Sequence, residues 1–345
     1  MTEVPGPVEV LERIAYLLER SRQPTYRVRA FRRAADAVRE AGEERTATLA
    51  AQGRLQELRG IGDSTAMVVS EALAGAVPGY LNRLEAAAGD DVGTGDEADA
   101  PAVDALVGAL VGDCHSHSDW SDGGSPIETM AAAAAELGHQ YWALTDHSPR
   151  LKVANGLSAA RLRRQIDVVA GLNEASSTRI LTGIEVDILD DGSLDADDDL
   201  LDCLDVVVAS VHSKLRMESA PMTERMVRAV SNPRVDILGH CTGRIVVGKG
   251  RPPSSFDAQA VFSACAAAGT AVEINSRPER LDPPDELLTI ANGLGVWFSI
   301  DTDAHAPGQL AWQRYGAAKA VACGVDASSV VNTWDLDRFL DWARS

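Results

Sequence analysis

The first hundred residues contain no lysine, so no chemistry there can run through a lysine Schiff base. Nowhere does the chain hold 18 consecutive apolar residues, which excludes a membrane-spanning helix. The start, Met1 to Pro5, lacks the charged-then-apolar pattern of a secretory signal. A soluble, cytoplasmic protein with no membrane partner is expected. Cysteine is also scarce. Cys114, Cys203, Cys241, Cys265 and Cys323 are an odd, scattered set without CxxC spacing, against both a disulfide framework and a cysteine zinc site. Positive charge is in short supply too: 32 Lys+Arg face 51 Asp+Glu, a net charge of -19. By itself that acidity argues against nucleic acid, because phosphate contacts need cations.

What is present is enough for a folded protein. The 345 residues are 45% apolar and 24% charged, which excludes wholesale disorder and predicts two or three domains. Residues 8–85 carry 12 Arg against 11 acidic side chains, so nearly all the excess acidity lies beyond them. In this first segment Val10, Ile14, Leu17 and Leu18 recur at helical spacing, as do Phe31, Ala34, Ala35 and Val38, predicting a small all-helical domain over 1–85. Residues 86–104 are rich in Ala, Gly and Asp and predict a flexible acidic linker. The rest, 105–345, alternates short apolar runs with helical patterns. The runs are Ala109 to Cys114, Tyr141 to Thr145, Ile180 to Val186, Asp205 to Val211, Val235 to Gly239, Thr270 to Ile274 and Val296 to Ile300. Seven strands with intervening helices predict an α/β fold with a parallel sheet, doubly wound or closed into a barrel.

Histidine supplies the strongest signal. His115 and His117 follow the first run, His147 the second, His212 the fourth, His240 the fifth and His305 the last. His139, between a helix and a strand, is the exception. In a barrel the carboxyl ends of the strands converge on one site. Asp122, Glu185 and Asp303 fall at the same ends, giving nine candidate ligands. Imidazole mixed with carboxylate suits Zn, Mn or Fe, and nine ligands fit two or three ions better than one. Asp146 is a candidate for orienting an imidazole, and a plain strand-end cap is as good a reading. The Asp-rich stretch from Asp187 to Asp205 lacks the spacing of a calcium loop and is expected to be a solvated loop and helix start.

Six ordered stretches carry a family resemblance. They are Asp113-Cys-His-Ser-His-Ser-Asp-Trp-Ser-Asp-Gly, Thr145-Asp-His-Ser-Pro-Arg, Gly183-Ile-Glu-Val-Asp-Ile-Leu, Ala209-Ser-Val-His-Ser, Gly239-His-Cys-Thr-Gly-Arg and Asp301-Thr-Asp-Ala-His. Residues 110–320 thereby resemble the PHP (polymerase and histidinol phosphatase) superfamily, above all the PHP domain of bacterial family X DNA polymerases. The resemblance implies a distorted (β/α)7 barrel with a trinuclear metal site. One ion would lie on His115, His117, Glu185 and Asp303; Glu185 would bridge to a second on His212 and His240; Asp122, His147 and His305 would hold the third. The implied reaction is phosphoester hydrolysis by a metal-bridged hydroxide, with Glu185, Asp303 and His305 as catalytic residues and Arg244 and Arg280 as candidates to grip phosphate.

In the small segment, Leu58-Arg-Gly-Ile-Gly before Ala66 reads as a helix-hairpin-helix. Gly60 and Gly62 permit the tight turn, and amides at the next helix start can meet a DNA phosphate. Upstream, Arg29, Arg32 and Arg33 form a basic helical face. In this order the segments resemble the amino-terminal helix-hairpin-helix domain of family X polymerases. Only a short linker separates the two modules here, so no nucleotidyl-transfer domain fits between them, and lysine-dependent lyase activity is excluded with the amine. The expected function is hydrolysis at DNA ends, single-stranded or gapped, as a 3'-5' exonuclease or 3'-phosphatase. Hydrolysis of a small phosphomonoester, as by a histidinol phosphatase, is the alternative, and a non-catalytic DNA-binding scaffold the third. Metal identity and oligomeric state stay open.

Overall fold

The computed structural model describes residues 5–88 and 99–343. They fall into two compact units, divided between Gly93 and Thr94. The first is all helical, with α1 Pro7–Arg20, α2 Thr25–Ala41, α3 Glu43–Ala51, α4 Asp63–Leu73 and α5 Gly79–Ala88. Its core collects one face of each amphipathic helix, including Leu11, Ile14, Leu18, Phe31, Ala34, Val68 and Leu81. Between α3 and α4 the chain turns sharply at Gly60, where φ is +110°. A Cβ at Gly60 would come within 3.1 Å of the Arg33 carbonyl oxygen, so glycine lets the hairpin approach the backbone of α2.

Both ends of the segment expected as a flexible linker, 86–104, are helical. Residues 86–88 complete α5, and Ala100–Ala109 forms a helix, α6, that buries Val103 and Leu106 against the second unit. Pro101 in the first turn and the aliphatic pair favour helix there despite the neighbouring acidic, Gly-rich run. Residues 89–98 lie outside the described residues.

The second unit is a seven-stranded parallel sheet in sequential order: β1 Gly112–Asp113, β2 Tyr141–Leu144, β3 Arg179–Asp187, β4 Val206–Ser210, β5 Ile237–Leu238, β6 Ala271–Asn275 and β7 Phe298–Asp301. Helices α7 Ile127–Glu136, α8 Ala159–Asn173, α9 Asp198–Leu201, α10 Ser219–Val230, α11 Ala258–Ala268 and α12 Asp285–Gly293 lie between the strands, and α13 Gln313–Ala322 and α14 Leu336–Ala343 follow them. Strands such as Val206-Val-Val-Ala are apolar on both faces because helices cover one and the barrel interior the other. The first strand is two residues long, since α6 takes Ala109 and Val111 gives its amide to Asn332 O.

Consecutive strands pair, whereas β1 and β7 meet mainly through side chains. Cys114 N donates to Asp301 Oδ1 at 2.7 Å, the Thr302 hydroxyl donates to Asp113, and Gln313 Nε2 donates to Gly112 O and Ile300 O at 2.8 and 2.9 Å. Asn332 Nδ2 also reaches Asp301 Oδ1 at 2.8 Å. A backbone bond from His117 N to Ala304 O, 2.8 Å, closes the seam just above. Burial pushes both Asp113 and Asp301 above the ordinary carboxyl range. Inside the barrel Tyr141, Leu181, Val206, Val208 and Ile237 fill one end, sealed by Trp334 and Phe339. Alternation along β3 and β4 then turns the later residues of the same face, Glu185 and His212, toward the other end.

Helix α13 packs at close quarters. A Cβ at Gly316 would fall 2.2 Å from Ser276 Oγ and 2.8 Å from Ile300 Cγ2. Replacing Gly316 with Ala is expected to destabilise the fold by about 1–3 kcal/mol through overpacking, measured by urea unfolding; an unchanged midpoint would show that α13 can move aside.

Candidate metal centre

All nine histidines and carboxylates singled out in the sequence meet at the carboxyl end of the barrel. Glu185 lies at the centre, 1% exposed. Its Oε1 faces His240 Nε2 at 2.8 Å and His212 Nε2 at 3.1 Å. Its Oε2 faces His147 Nδ1 at 2.7 Å, His115 Nε2 at 3.4 Å and His117 Nε2 at 3.7 Å. Asp303 reaches His117 Nε2 at 3.4 Å, and Asp122 joins His147 Nε2 and His305 Nε2, each at 3.4 Å. Three overlapping groups have donor atoms close enough to share an ion: His115, His117 and Glu185; His147, Glu185 and His212; His117, Asp122, His147 and His305.

A test of fit comes from atoms left without hydrogen bonds. His115 Nε2, both nitrogens of His117, and both oxygens of Glu185 are buried and unbonded within the protein. Buried polar groups are nearly always satisfied, so a converging set of such lone pairs calls for cations. On three rings, by contrast, the other nitrogen is held. His115 Nδ1 lies 2.6 Å from Glu273 Oε1, His212 Nδ1 bonds Asp187, and His305 Nδ1 lies 2.8 Å from the Asp303 carbonyl oxygen. An N–H on Nδ1 of His115 and of His212, each facing a carboxylate, leaves Nε2 to face the cluster, the arrangement a metal-bound imidazole needs. The residues present therefore fit divalent ions.

Several supporting residues were not among the nine candidate ligands. Glu273 orients His115 and also accepts from the His240 amide. Asp187, expected in a solvated acidic loop, is buried at the end of β3 and orients His212, because strand β3 runs through it. Arg277 donates from Nη1 to Asp303 O at 2.8 Å, and Arg280 Nε sits 3.1 Å from Asp303 Oδ2. Arg225, 1% exposed on α10, donates to the carbonyls of Ser213 and Ile188, clamping the segments that follow His212 and Asp187. Only spatial proximity reveals these roles.

Other sequence-predicted residues are placed differently from the expectation. Asp146 orients no imidazole; it accepts from Ser118 N and Oγ at 2.8 and 2.6 Å and from Gln165 Nε2 at 2.6 Å, fixing the loop after His117. Arg244 spends two of its nitrogens on the carbonyls of Arg280 and Leu281, bracing the segment that carries Arg280. In the helical unit, Arg32 turns back to pair with buried Glu19, whereas Arg29 and Arg33 stay exposed. The Gly62 amide is capped by Thr65 Oγ1 at 2.9 Å, so it is not free for a phosphate. Arg59, beside Gly60, is exposed as well.

Charge ties the centre together. Burial resists ionisation of Glu185, yet His212, His147 and His115 outweigh it and hold the carboxyl well below its ordinary range. Burial likewise opposes a proton on His147, but Glu185 and Asp122 draw it up to about 10. His115 and His212 are raised against burial, through Glu273 and Glu185 and through Glu185 and Asp187 respectively. His117 is driven down to about 3 by burial, then by His305 and His147. Arg277 and Arg280 help keep Asp303 ionised despite burial.

Fold and site together define a metal-dependent phosphoesterase. Residues 113–277 match the model described as PHP domain, and residues 4–76 match a helix-hairpin-helix domain. The chain belongs to the PHP family and is a hydrolase of phosphoester bonds. It is 42% identical over 231 residues, 67% of its length, to the DNA polymerase/3'-5' exonuclease PolX of Bacillus subtilis, of which it spans 40%. It is 30% identical over 237 residues to a probable phosphatase of Thermoanaerobacter sp., covering 65% of this chain and 91% of that one. Among solved structures it is similar to the histidinol phosphate phosphatase of Lactococcus lactis subsp. lactis complexed with Zn, L-histidinol and phosphate. The TM-score there is 0.46 at 17% identity, over 63% of this chain and 95% of that chain. No helix among the described residues is long and apolar enough to cross a membrane.

Metal uptake must displace protons, because His115, His147 and His212 hold theirs above the ordinary histidine range. Their protons leave as pH rises, so affinity rises with pH. Calorimetric titration of the metal-free protein with Mn or Zn at about pH 6 and about pH 8, in buffers of different ionisation heat, is expected to show tighter binding at the higher pH and net proton release. Affinity independent of pH would contradict this.

Proposed function

We propose that the protein hydrolyses phosphoesters at DNA ends, as a 3'-5' exonuclease or 3'-phosphatase, using two or three divalent ions of Zn, Mn or Fe. The observation that carries this reading is the union in one chain of the histidine-carboxylate centre and a helix-hairpin-helix unit, both of which match known family models. The 42% identity to a protein described as a 3'-5' exonuclease supports it.

His115, His117, Glu185 and Asp303 would hold one ion, His212 and His240 with Glu185 a second, and Asp122, His147 and His305 a third. Such ions, when bound, lower the pKa of a water molecule and draw charge from phosphoryl oxygens. The chain's own part is positional. Glu185 presents both oxygens to the centre, and Asp303 is locked by Arg277 and Arg280. Arg280, with Nε 3.1 Å from Asp303 Oδ2, lies close enough to the centre to steer a phosphoryl oxygen toward it. Asp122 and His305 are the ligands with the most exposed side chains, 35% and 21%, so substrate and proton exchange occur on their side. Arg29, Arg33 and Arg59 form the exposed basic face that meets DNA backbone.

The alternative substrate class is a small phosphomonoester such as histidinol phosphate. It is favoured by the span of the match to a probable phosphatase, 91% of that protein.

Metal-loaded protein assayed on a 3'-phosphorylated oligonucleotide, an unmodified single-stranded oligonucleotide and histidinol phosphate separates the readings. Turnover of at least one DNA substrate is expected, falling about 100-fold or more in Asp303→Ala. Turnover of histidinol phosphate alone would replace the DNA reading with the small-substrate one, and binding of DNA without any turnover would make the protein a scaffold. Arg33→Glu with Arg59→Glu is expected to weaken oligonucleotide binding about tenfold at low salt, read by fluorescence anisotropy.

A further inference from the structure

Cations also collect away from the nine ligands, in a groove of about 530 Å³ lined by Lys214, Leu215, Arg216, Met217, Glu218 and Arg251 among others. One wall is the loop that leaves β4 immediately after His212; the other is the long loop that leaves β5 after His240. One bond joins the two loops at the centre's edge, and two more fold the second loop on itself. Ser254 Oγ donates to Leu215 O at 2.8 Å, Ser254 N donates to Thr242 O at 2.9 Å, and Arg251 Nε donates to Gly243 O at 2.6 Å. The groove is thus anchored to the same strand ends as two of the candidate ligands.

Its charge runs against the chain's net -19. Lys214 pairs with Asp190 at 2.5 Å, and Arg251 keeps its Nη groups after the bond from Nε. Arg216 is exposed and makes no ion pair among the described residues. Glu218 is the acid in the lining, and beyond the Lys214–Asp190 pair Arg216 and Arg251 stand against it. Leu215, Met217, Pro252 and Pro253 add an apolar surface beside them. The volume lies in the range of ligand sites.

A small phosphomonoester carries one phosphoryl group, which the metal-facing cluster and Arg280 already serve. Cations set to one side act only on a substrate with further phosphates, and an apolar surface next to them suits bases or sugars of the same chain. We infer that this groove binds the backbone phosphates of the nucleic-acid strand adjoining its scissile end. The inference rests on the DNA-end reading and adds the path the strand takes over the barrel.

The test uses full-length, Mn-loaded protein and 3'-phosphorylated substrates of one, three and six nucleotides. For the unaltered protein kcat/KM should rise with length. Arg216→Glu should flatten that rise, lowering kcat/KM for the hexanucleotide about tenfold relative to the mononucleotide and making it less sensitive to salt. Arg216→Gln should fall between the two. Arg338→Glu makes the same charge change on α14, beside Trp334 at the opposite end of the barrel, and should keep the length dependence. If the unaltered protein turns over no nucleotide substrate, or all lengths equally, the groove inference fails, in the first case together with the 3'-phosphatase form of the DNA-end reading. If length dependence is present and Arg216→Glu retains it, the groove inference fails alone.

Discussion

One buried carboxylate organises the second unit. Glu185 is removed from water at the end of β3, and both its oxygens point at imidazoles delivered by β1, β2, β4 and β5. An isolated carboxylate in such a place would be neutralised by taking up a proton. Here His212, His147 and His115 keep it ionised, and those three in turn are kept basic in part by it. The centre is therefore a mutual electrostatic arrangement in which protons and divalent ions compete for the same lone pairs. No member could be placed alone without a heavy desolvation cost.

Around this anion lies a shell that restricts rotation. Glu273 and Asp187 fix the rings of His115 and His212, while Arg277 and Arg280 fix Asp303. Arg225 braces the backbone behind His212 from the buried face of α10. The barrel seam contributes as well, since side chains of Asp113, Asp301, Gln313 and Asn332 do the joining where β1 is too short for a strand ladder. His115 and His117 on one side and Asp303 and His305 on the other flank that seam. Closing it is what brings the first and last motifs of the chain into one site.

The net charge of -19 also changes meaning in three dimensions. Asp122, Glu185 and Asp303 face the histidine cluster, where divalent ions would neutralise them. Arg234 pairs with Asp198 and Asp202 of the acidic stretch. Exposed Arg29, Arg33 and Arg59 occupy the helical unit, and Arg216 and Arg251 the groove over the barrel. A single sum of charges cannot report such segregation, which is why overall acidity is a poor guide to whether a phosphate is admitted.

Much of the fold and site was legible because two periodicities survive in the sequence. Short apolar runs alternating with helical patterns marked seven strands, and His115, His117, His147, His212, His240 and His305 each followed one. Ligand identity is written locally, as a residue type at a strand end. Glu273, Asp187, Arg225 and Arg277 were hidden because their partners lie 12 to 158 residues away. Arg32 and Gly62 misled for a complementary reason, since their local patterns were right but Glu19 and Thr65 had claimed them. The sequence by itself determined the chemistry available, imidazoles and carboxylates at the ends of parallel strands. Only the tertiary structure decided their grouping, protonation and support, because those depend on distances and burial that arise when the ring of strands closes.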